Sequence, residues 1–488
     1  MDSNLSTYTS QITKWIDRRF GMSLTGAERR AGSENLTGAR RRLAALTMGL
    51  ARVALGATIV LIPFRFRYTM VARPFPPVYR DYTDFLLFAA DVFLFATLAL
   101  WLSALALNPR RLSLGPLFLS LPIAGLTFLG LLSVPLSVDP LLSVYHWVRL
   151  LALAGFYLLV LNEVKSLGAL ILPLGLMVVV QSVVGIEQAL QQRSLGLVAW
   201  GEYALHPDWG GVSVVTAAGE RWLRAYGLSD HPNILGGCLA FALILIAAWY
   251  CDARDRWRPL AVGVFVAGAL GLYFTYSRSA WLALFAGLAL VFVWLAKTRT
   301  GGLTIRWLSM LAAALIVLFP FVWQNAAYLG VRLGFGGAFE AVPQEVQSIG
   351  ERTLLNQTAN QLFAVNALTG VGLSALPTAM SQAFPDFQVD YQPAHFVLLD
   401  VAAEIGIFGA LFYAVTVVAP WLALFLNRRR LHFSPALVGA SALLAAVTVI
   451  GFFDYYPWLL VPGRLWMWLA WGLWAAIYRV SFDEAADD

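Results

Sequence analysis

Residues 224–258 read RAYGLSDHPNILGGCLAFALILIAAWYCDARDRWR. From Ile234 to Tyr250 the stretch holds no charged residue. A helix over 232–250 covers roughly 28 Å at about 1.5 Å per residue, close to the thickness of a bilayer's hydrocarbon. Soluble core helices rarely stay apolar all round for that length. Asp230-His231-Pro232-Asn233 is a plausible helix start, because Pro suits the first helical position and Asp or Asn the cap. On the other side Arg254, Arg256 and Arg258 crowd a short connection, as cytoplasmic loops do.

The same pattern repeats along all 488 residues, of which 59% are hydrophobic and 13% charged, with a mean hydropathy of +0.69. A soluble domain is nearer one quarter charged. The runs predict an all-α, polytopic membrane helix bundle of about twelve transmembrane helices. The spans read as 43–63, 83–107, 115–134, 143–162, 169–188, 232–250, 260–276, 279–296, 307–325, 406–426, 436–453 and 463–480. Residues 43–480 are expected to pack as a single domain. Before them comes a basic tail, 1–42, with eight Lys/Arg and a stretch around 8–20 compatible with a helix; after them comes a short tail, 481–488.

Orientation follows from the basic residues. With both termini cytoplasmic, 21 Lys/Arg fall in inner segments and 11 in outer ones. The inner loops are also shorter, so the bias satisfies the positive-inside rule. Arg65, Arg67, Arg73 and Arg80 in the first outer loop run against it. The two long loops, 189–231 and 326–405, then lie outside, the second with a helix-compatible stretch (344–367) and a helical lead-in (395–405) to the next span. Loops this long are usually functional or disordered.

The net charge of +6 and pI of about 9.3 do not require a nucleic-acid partner, since topology accounts for most of the basic residues. Cys238 and Cys251 sit on one predicted helix roughly 20 Å apart, too far to bridge. The five histidines show no zinc-like spacing. Neither metal nor cofactor is indicated. The 18 Trp residues are expected mostly as interface anchors.

Three outer motifs could carry chemistry. Arg224 sits near the predicted start of the 232–250 helix; arginine's planar fork suits phosphate oxygens, and a helix N-terminus adds partial positive charge. Arg278 lies in YSRSAW, a turn so tight that two spans nearly fuse. His395 ends the long outer loop, and histidine is the side chain most easily tuned to take a proton near neutral pH. Read singly, each is as well explained as an interfacial or capping residue. Asp400 is out of alignment with His395 on an ideal helix, and Glu404 is about 13 Å along it, so neither is an obvious partner for the ring. Arg149, Arg221, Tyr276 and Asp454 are secondary candidates. Asp91 is expected as a buried, hydrogen-bonded group.

Five segments taken together resemble the bacterial O-antigen ligase and O-antigen polymerase family. They are SVPLSVDPLLSVYHWVRLL (133–151), VVGIEQAL (183–190), RAYGLSDHPNILGGCLA (224–240), YSRSAWLALFAGLAL (276–290), and ERTLLNQTANQLFAVNALTGVGL with PAHFVLLDVAAEIGIFGALFY (351–413). The resemblance implies a glycosyltransferase-C-like fold with a large helical periplasmic loop, in the bacterial inner membrane. It implies metal-independent transfer of a glycan from an undecaprenyl-diphosphate donor to an acceptor hydroxyl, on lipid A core or another glycan. Arg224 and Arg278 match the family arginines that hold the diphosphate, and His395 matches the histidine that activates the acceptor. Many relatives have Asn after that His, where this chain has Phe396. Direct displacement at the anomeric carbon inverts configuration. A polymerase or a protein O-oligosaccharyltransferase of the same family would share these residues. A lipid-linked oligosaccharide transporter would use the arginines but would not need His395.

Overall fold

The structure is a computed structural model that describes residues 38–298, 300–335 and 342–487. Most of the basic tail, with the helix expected around 8–20, lies outside the described residues. Twelve helices occupy the places of the twelve expected spans. In chain order they are Gly38–Leu61, Ala89–Leu107, Leu117–Leu132, Pro140–Glu163, Gly168–Gln191, Pro232–Tyr250, Arg258–Phe274, Arg278–Thr298, Gly301–Gln324, Val397–Asn427, Pro435–Gly451 and Val461–Asp487. Among the described residues nine helices are long and apolar enough to cross a membrane, and the third and eleventh are shorter apolar helices. The chain is an all-α polytopic membrane protein.

The sixth span, Pro232–Tyr250, is the axis of the bundle. Its apolar window is 94% buried, against 17% for the ninth span at the periphery. It packs against the fifth, seventh, eighth, eleventh and twelfth spans. Gly236, Gly237 and Gly268 let these helices approach; a Cβ on Gly237 would stand 1.8 Å from the Tyr456 hydroxyl.

Two small hairpins lie at the end of the bundle that carries the long loops. β1 (Arg67–Val71) pairs with β2 (Phe85–Phe88), and β3 (Val214–Ala217) with β4 (Glu220–Leu223). The second span therefore begins at Ala89 and not near residue 83. Phe85-Leu86-Leu87-Phe88 is a short apolar run, which periodicity cannot separate from a helix start. Three of the four arginines of this loop are neutralised by ion pairs. Arg65 and Arg67 both pair with Asp230 at 2.7 Å, Arg67 also reaches Asp81 at 2.7 Å, and Arg73 pairs with Asp139 at 2.9 Å.

The long loop folds as Pro343–Val365 and Leu376–Ala383 and docks on the tenth span. That span is broken at Ile405 and Gly406, where Gly406 has φ 78° and ψ −179°, a combination essentially restricted to glycine. The loop fills the break: Val371 and Gly372 donate to the carbonyls of Ala403 and Glu404, and Ile407 donates to the Ala367 carbonyl. The backbone groups freed by the break are satisfied in this way, as a low-dielectric setting requires.

Seven of the tryptophans are not interface anchors. Trp101, Trp307, Trp458, Trp466, Trp468, Trp471 and Trp474 are each 3% exposed or less and pack inside the bundle. Their indole N–H groups reach internal acceptors in several cases, as Trp101 to Glu163 and Trp307 to the Ala247 carbonyl. Cys238 and Cys251 are buried and free.

Candidate active site

A cavity of about 470 Å³ opens among the loops, lined by residues from the first loop, the fourth span, the start of the sixth, the long loop and the 454–464 segment. His395 and Asp454 both line it. The His395 Nδ1 lies 3.9 Å from Asp454 Oδ1, and no hydrogen bond satisfies that nitrogen. The Tyr455 ring meets the imidazole edge-on, 5.1 Å between centroids.

The backbone around His395 is held by the two sides of the loop-to-helix junction. Asn356 Oδ1 accepts the His395 N–H at 2.8 Å, and Asp400 Oδ1 accepts the Ala394 N–H at 2.8 Å. Asp400 thus fixes the chain entering the tenth span and leaves the ring to Asp454. Glu404 accepts from Trp458 Nε1 at 2.8 Å. Phe396 stacks on Phe452 at 5.6 Å.

Burial is the largest influence on His395 and lowers its pKa from the ordinary histidine value; Asp454 opposes this, and Arg352 adds to it. His231 is lowered well below the ordinary value, chiefly by burial and then by Arg224 and Arg352. Both rings are neutral near pH 7 on this balance, and a neutral imidazole is the form that accepts a proton.

Arg352 was not singled out from the sequence. It is half-buried, lines the cavity, and has no carboxylate within 4.0 Å among the described residues. It stands one helical turn before Asn356, so the two project from the same face of their helix. That spacing, RTLLN in 352–356, was the available signal.

Arg224 is placed differently. It is 5% exposed and absent from the cavity lining. Its Nε donates to the Thr275 carbonyl at 2.6 Å, Nη1 to Ser213 Oγ at 2.7 Å and Nη2 to Asn233 Oδ1 at 2.6 Å. Asn233 Nδ2 in turn donates to Asp454 Oδ2 at 3.1 Å. The RAYG segment is itself pinned to the fifth span, with Gln188 Oε1 accepting from Tyr226 and Gly227 and Gln181 Oε1 from Leu228.

Arg278 is half-buried outside the cavity lining, with Nη1 3.5 Å from the Arg332 carbonyl. Arg332 donates back to the Tyr276 carbonyl through Nε and Nη2. Tyr276 is fully buried in a left-handed turn, φ 48°. Arg221 lies on β4, 3.4 Å from the Trp209 carbonyl. Arg149 does line the cavity and holds Asp91, the Tyr145 hydroxyl and the Leu86 carbonyl. Asp91 is buried and paired, as expected.

The arrangement defines a class: a polytopic membrane protein with a polar cavity that sets a neutral histidine, a carboxylate and several guanidiniums together at the loop end of the bundle. Residues 263–414 match the family model described as O-antigen ligase, so this part of the chain is similar to that family. The match runs from the seventh span to the tenth and includes Arg278, Arg352 and His395. No curated protein matches the chain. The family supports an O-antigen ligase-like, glycosyl-transferring membrane enzyme with lipid-linked glycan and acceptor substrates.

Proposed function

We propose that the protein transfers a glycan from an undecaprenyl-diphosphate donor to an acceptor hydroxyl at the outer face of the inner membrane, as an O-antigen ligase. The observation that carries this reading is the neutral His395 facing Asp454 across 3.9 Å in a cavity that also holds Arg352. The Asp454 carboxylate on the Nδ1 side favours the ring proton on that nitrogen and leaves Nε2 to accept the hydroxyl proton, the division of labour of His–carboxylate pairs. The acceptor oxygen bonds to the anomeric carbon as the bond from that carbon to the diphosphate oxygen breaks. The electron pair leaves on the diphosphate, and cationic side chains offset the charge that develops there.

Arg352 is the cavity arginine whose charge acts on His395. Arg224 acts from behind the wall by holding Asn233 and hence Asp454. Arginines line the cavity and can offset the diphosphate charge without a metal. The test is transfer in vitro from a synthetic undecaprenyl-diphosphate glycan in EDTA, with the anomeric configuration of the product determined. Transfer with inversion is expected. Loss of activity in EDTA, or a retained configuration, would contradict the mechanism.

A further inference from the structure

Arg464 lies four residues into the twelfth span, 4% exposed, and lines the cavity. Its Nε donates to the Trp458 carbonyl, Nη2 to Ser374 Oγ at 2.8 Å, and Nη1 meets His146 Nδ1 at 3.1 Å. All three partners are neutral. The other buried arginine of the cavity, Arg149, has Asp91 as counter-ion, whereas among the described residues no carboxylate lies within 4.0 Å of Arg464. Glu404 acts on it only through space. A buried cation with no carboxylate in contact carries a desolvation cost that an incoming anion relieves, and ionisable groups at membrane depth mark functional sites by default.

The neighbours are built to present donors. A guanidinium cannot accept a hydrogen bond, so His146 Nδ1 is the acceptor and its ring proton sits on Nε2. His146 also lines the cavity. Ser374 is 1% exposed and adopts φ 58°, a strained conformation for a non-glycine residue that the surrounding structure must hold in place.

The same two arginines belong to membrane spans. Arg149 lies in the fourth span and Arg464 at the start of the twelfth, whereas Arg352 lies on the long-loop helix Pro343–Val365. A guanidinium pair on the span side of a polar cavity suits the phosphate of an anion whose hydrocarbon chain lies in the membrane.

We propose that Arg464, supported by His146 and flanked by Arg149, is a second anion subsite that takes the prenyl-side phosphate of the lipid-linked donor. The sugar-side phosphate then lies toward Arg352 and His395. The assignment rests on the function proposed above and adds to it which group holds which phosphate.

The test is equilibrium binding to the full chain in detergent, with undecaprenyl diphosphate, undecaprenyl monophosphate, inorganic diphosphate and phosphatidylglycerol as probes. Wild type is expected to prefer undecaprenyl diphosphate to all three others. Arg464→Gln should weaken diphosphate binding by about tenfold or more, the scale of one charged hydrogen-bonding group, and bring the diphosphate and monophosphate affinities together. Arg464→Lys should recover part of the preference. If thermal unfolding shows neither Arg464 variant to be folded, His146→Gln decides by the same ratio. A wild type that binds no undecaprenyl diphosphate would defeat the proposed function itself. Normal wild-type binding with an unchanged ratio in the folded variants would overturn only the subsite. Arg464-dependent binding of phosphatidylglycerol or inorganic diphosphate as tight as that of the prenyl diphosphate would overturn the prenyl assignment.

Discussion

Asn233 joins Arg224 to Asp454: its side-chain oxygen accepts from Arg224 at 2.6 Å, and its side-chain nitrogen donates to Asp454 at 3.1 Å. The relay ends at His395, whose Nδ1 faces the other oxygen of the same carboxylate. A motif far from the histidine in sequence thereby fixes the carboxylate that faces its ring.

Arg224→Lys keeps the charge but loses the fork that holds Thr275, Ser213 and Asn233 together, which a lysine cannot reproduce. The expected outcome is a kcat lower by about tenfold to a hundredfold, for a loss of one to two charge-assisted hydrogen bonds, with donor affinity nearly unchanged. Steady-state kinetics and donor binding measured side by side check this. A fall in donor affinity with kcat preserved would instead place Arg224 on the diphosphate.

Asp454 raises the His395 pKa, and Arg352 lowers it. Activity that needs neutral His395 is lost as pH falls through that pKa. Asp454→Asn should therefore move the acid limb of kcat/KM to lower pH while reducing the plateau by roughly a hundredfold or more, the scale of general-base catalysis. A limb that moves to higher pH would show that Asp454 does not face a catalytic imidazole.

For Arg352→Gln the sign reverses. With the neighbouring cation removed, the His395 pKa rises toward the ordinary value of about 6.5, and the acid limb moves up. KM for the donor should rise as well, because the variant removes a cation from the cavity. The pH profile separates this from a structural loss, which would lower activity without moving the limb.

Gly406 supports the docking of the long loop. A Cβ there would stand 2.2 Å from the Leu368 carbonyl oxygen, at φ 78°. Gly406→Ala is expected to lower the thermal unfolding temperature in detergent, through strain of roughly 1–3 kcal/mol and the clash in addition. An unchanged melting temperature would mean that the break in the tenth span relaxes freely.

The twelve helices were legible because uninterrupted apolar runs are a direct physical requirement of a bilayer. The hairpins were not, because Phe85–Phe88 is as apolar as the span that follows and β3–β4 is only four residues long on each side. In the site, His395 and Asp454 could be named from residue type and position near helix ends. Their pairing could not, since it joins the long loop to the connection between the eleventh and twelfth spans. Arg464 passed as one more loop arginine because burial, and the absence of a carboxylate in contact, are properties of the packed bundle. Arg224 looked like an exposed phosphate ligand for the converse reason: sequence places it beside a helix N-terminus but does not reveal that three protein acceptors already surround it.

The most direct measurement is glycan transfer by the purified full chain from an undecaprenyl-diphosphate donor, with His395→Ala compared against wild type and donor binding recorded for both. A kcat lower by about 10²–10⁴ in the variant, the range a positioned base contributes, with donor affinity preserved, is the result the account predicts. Full transfer activity in His395→Ala would contradict it.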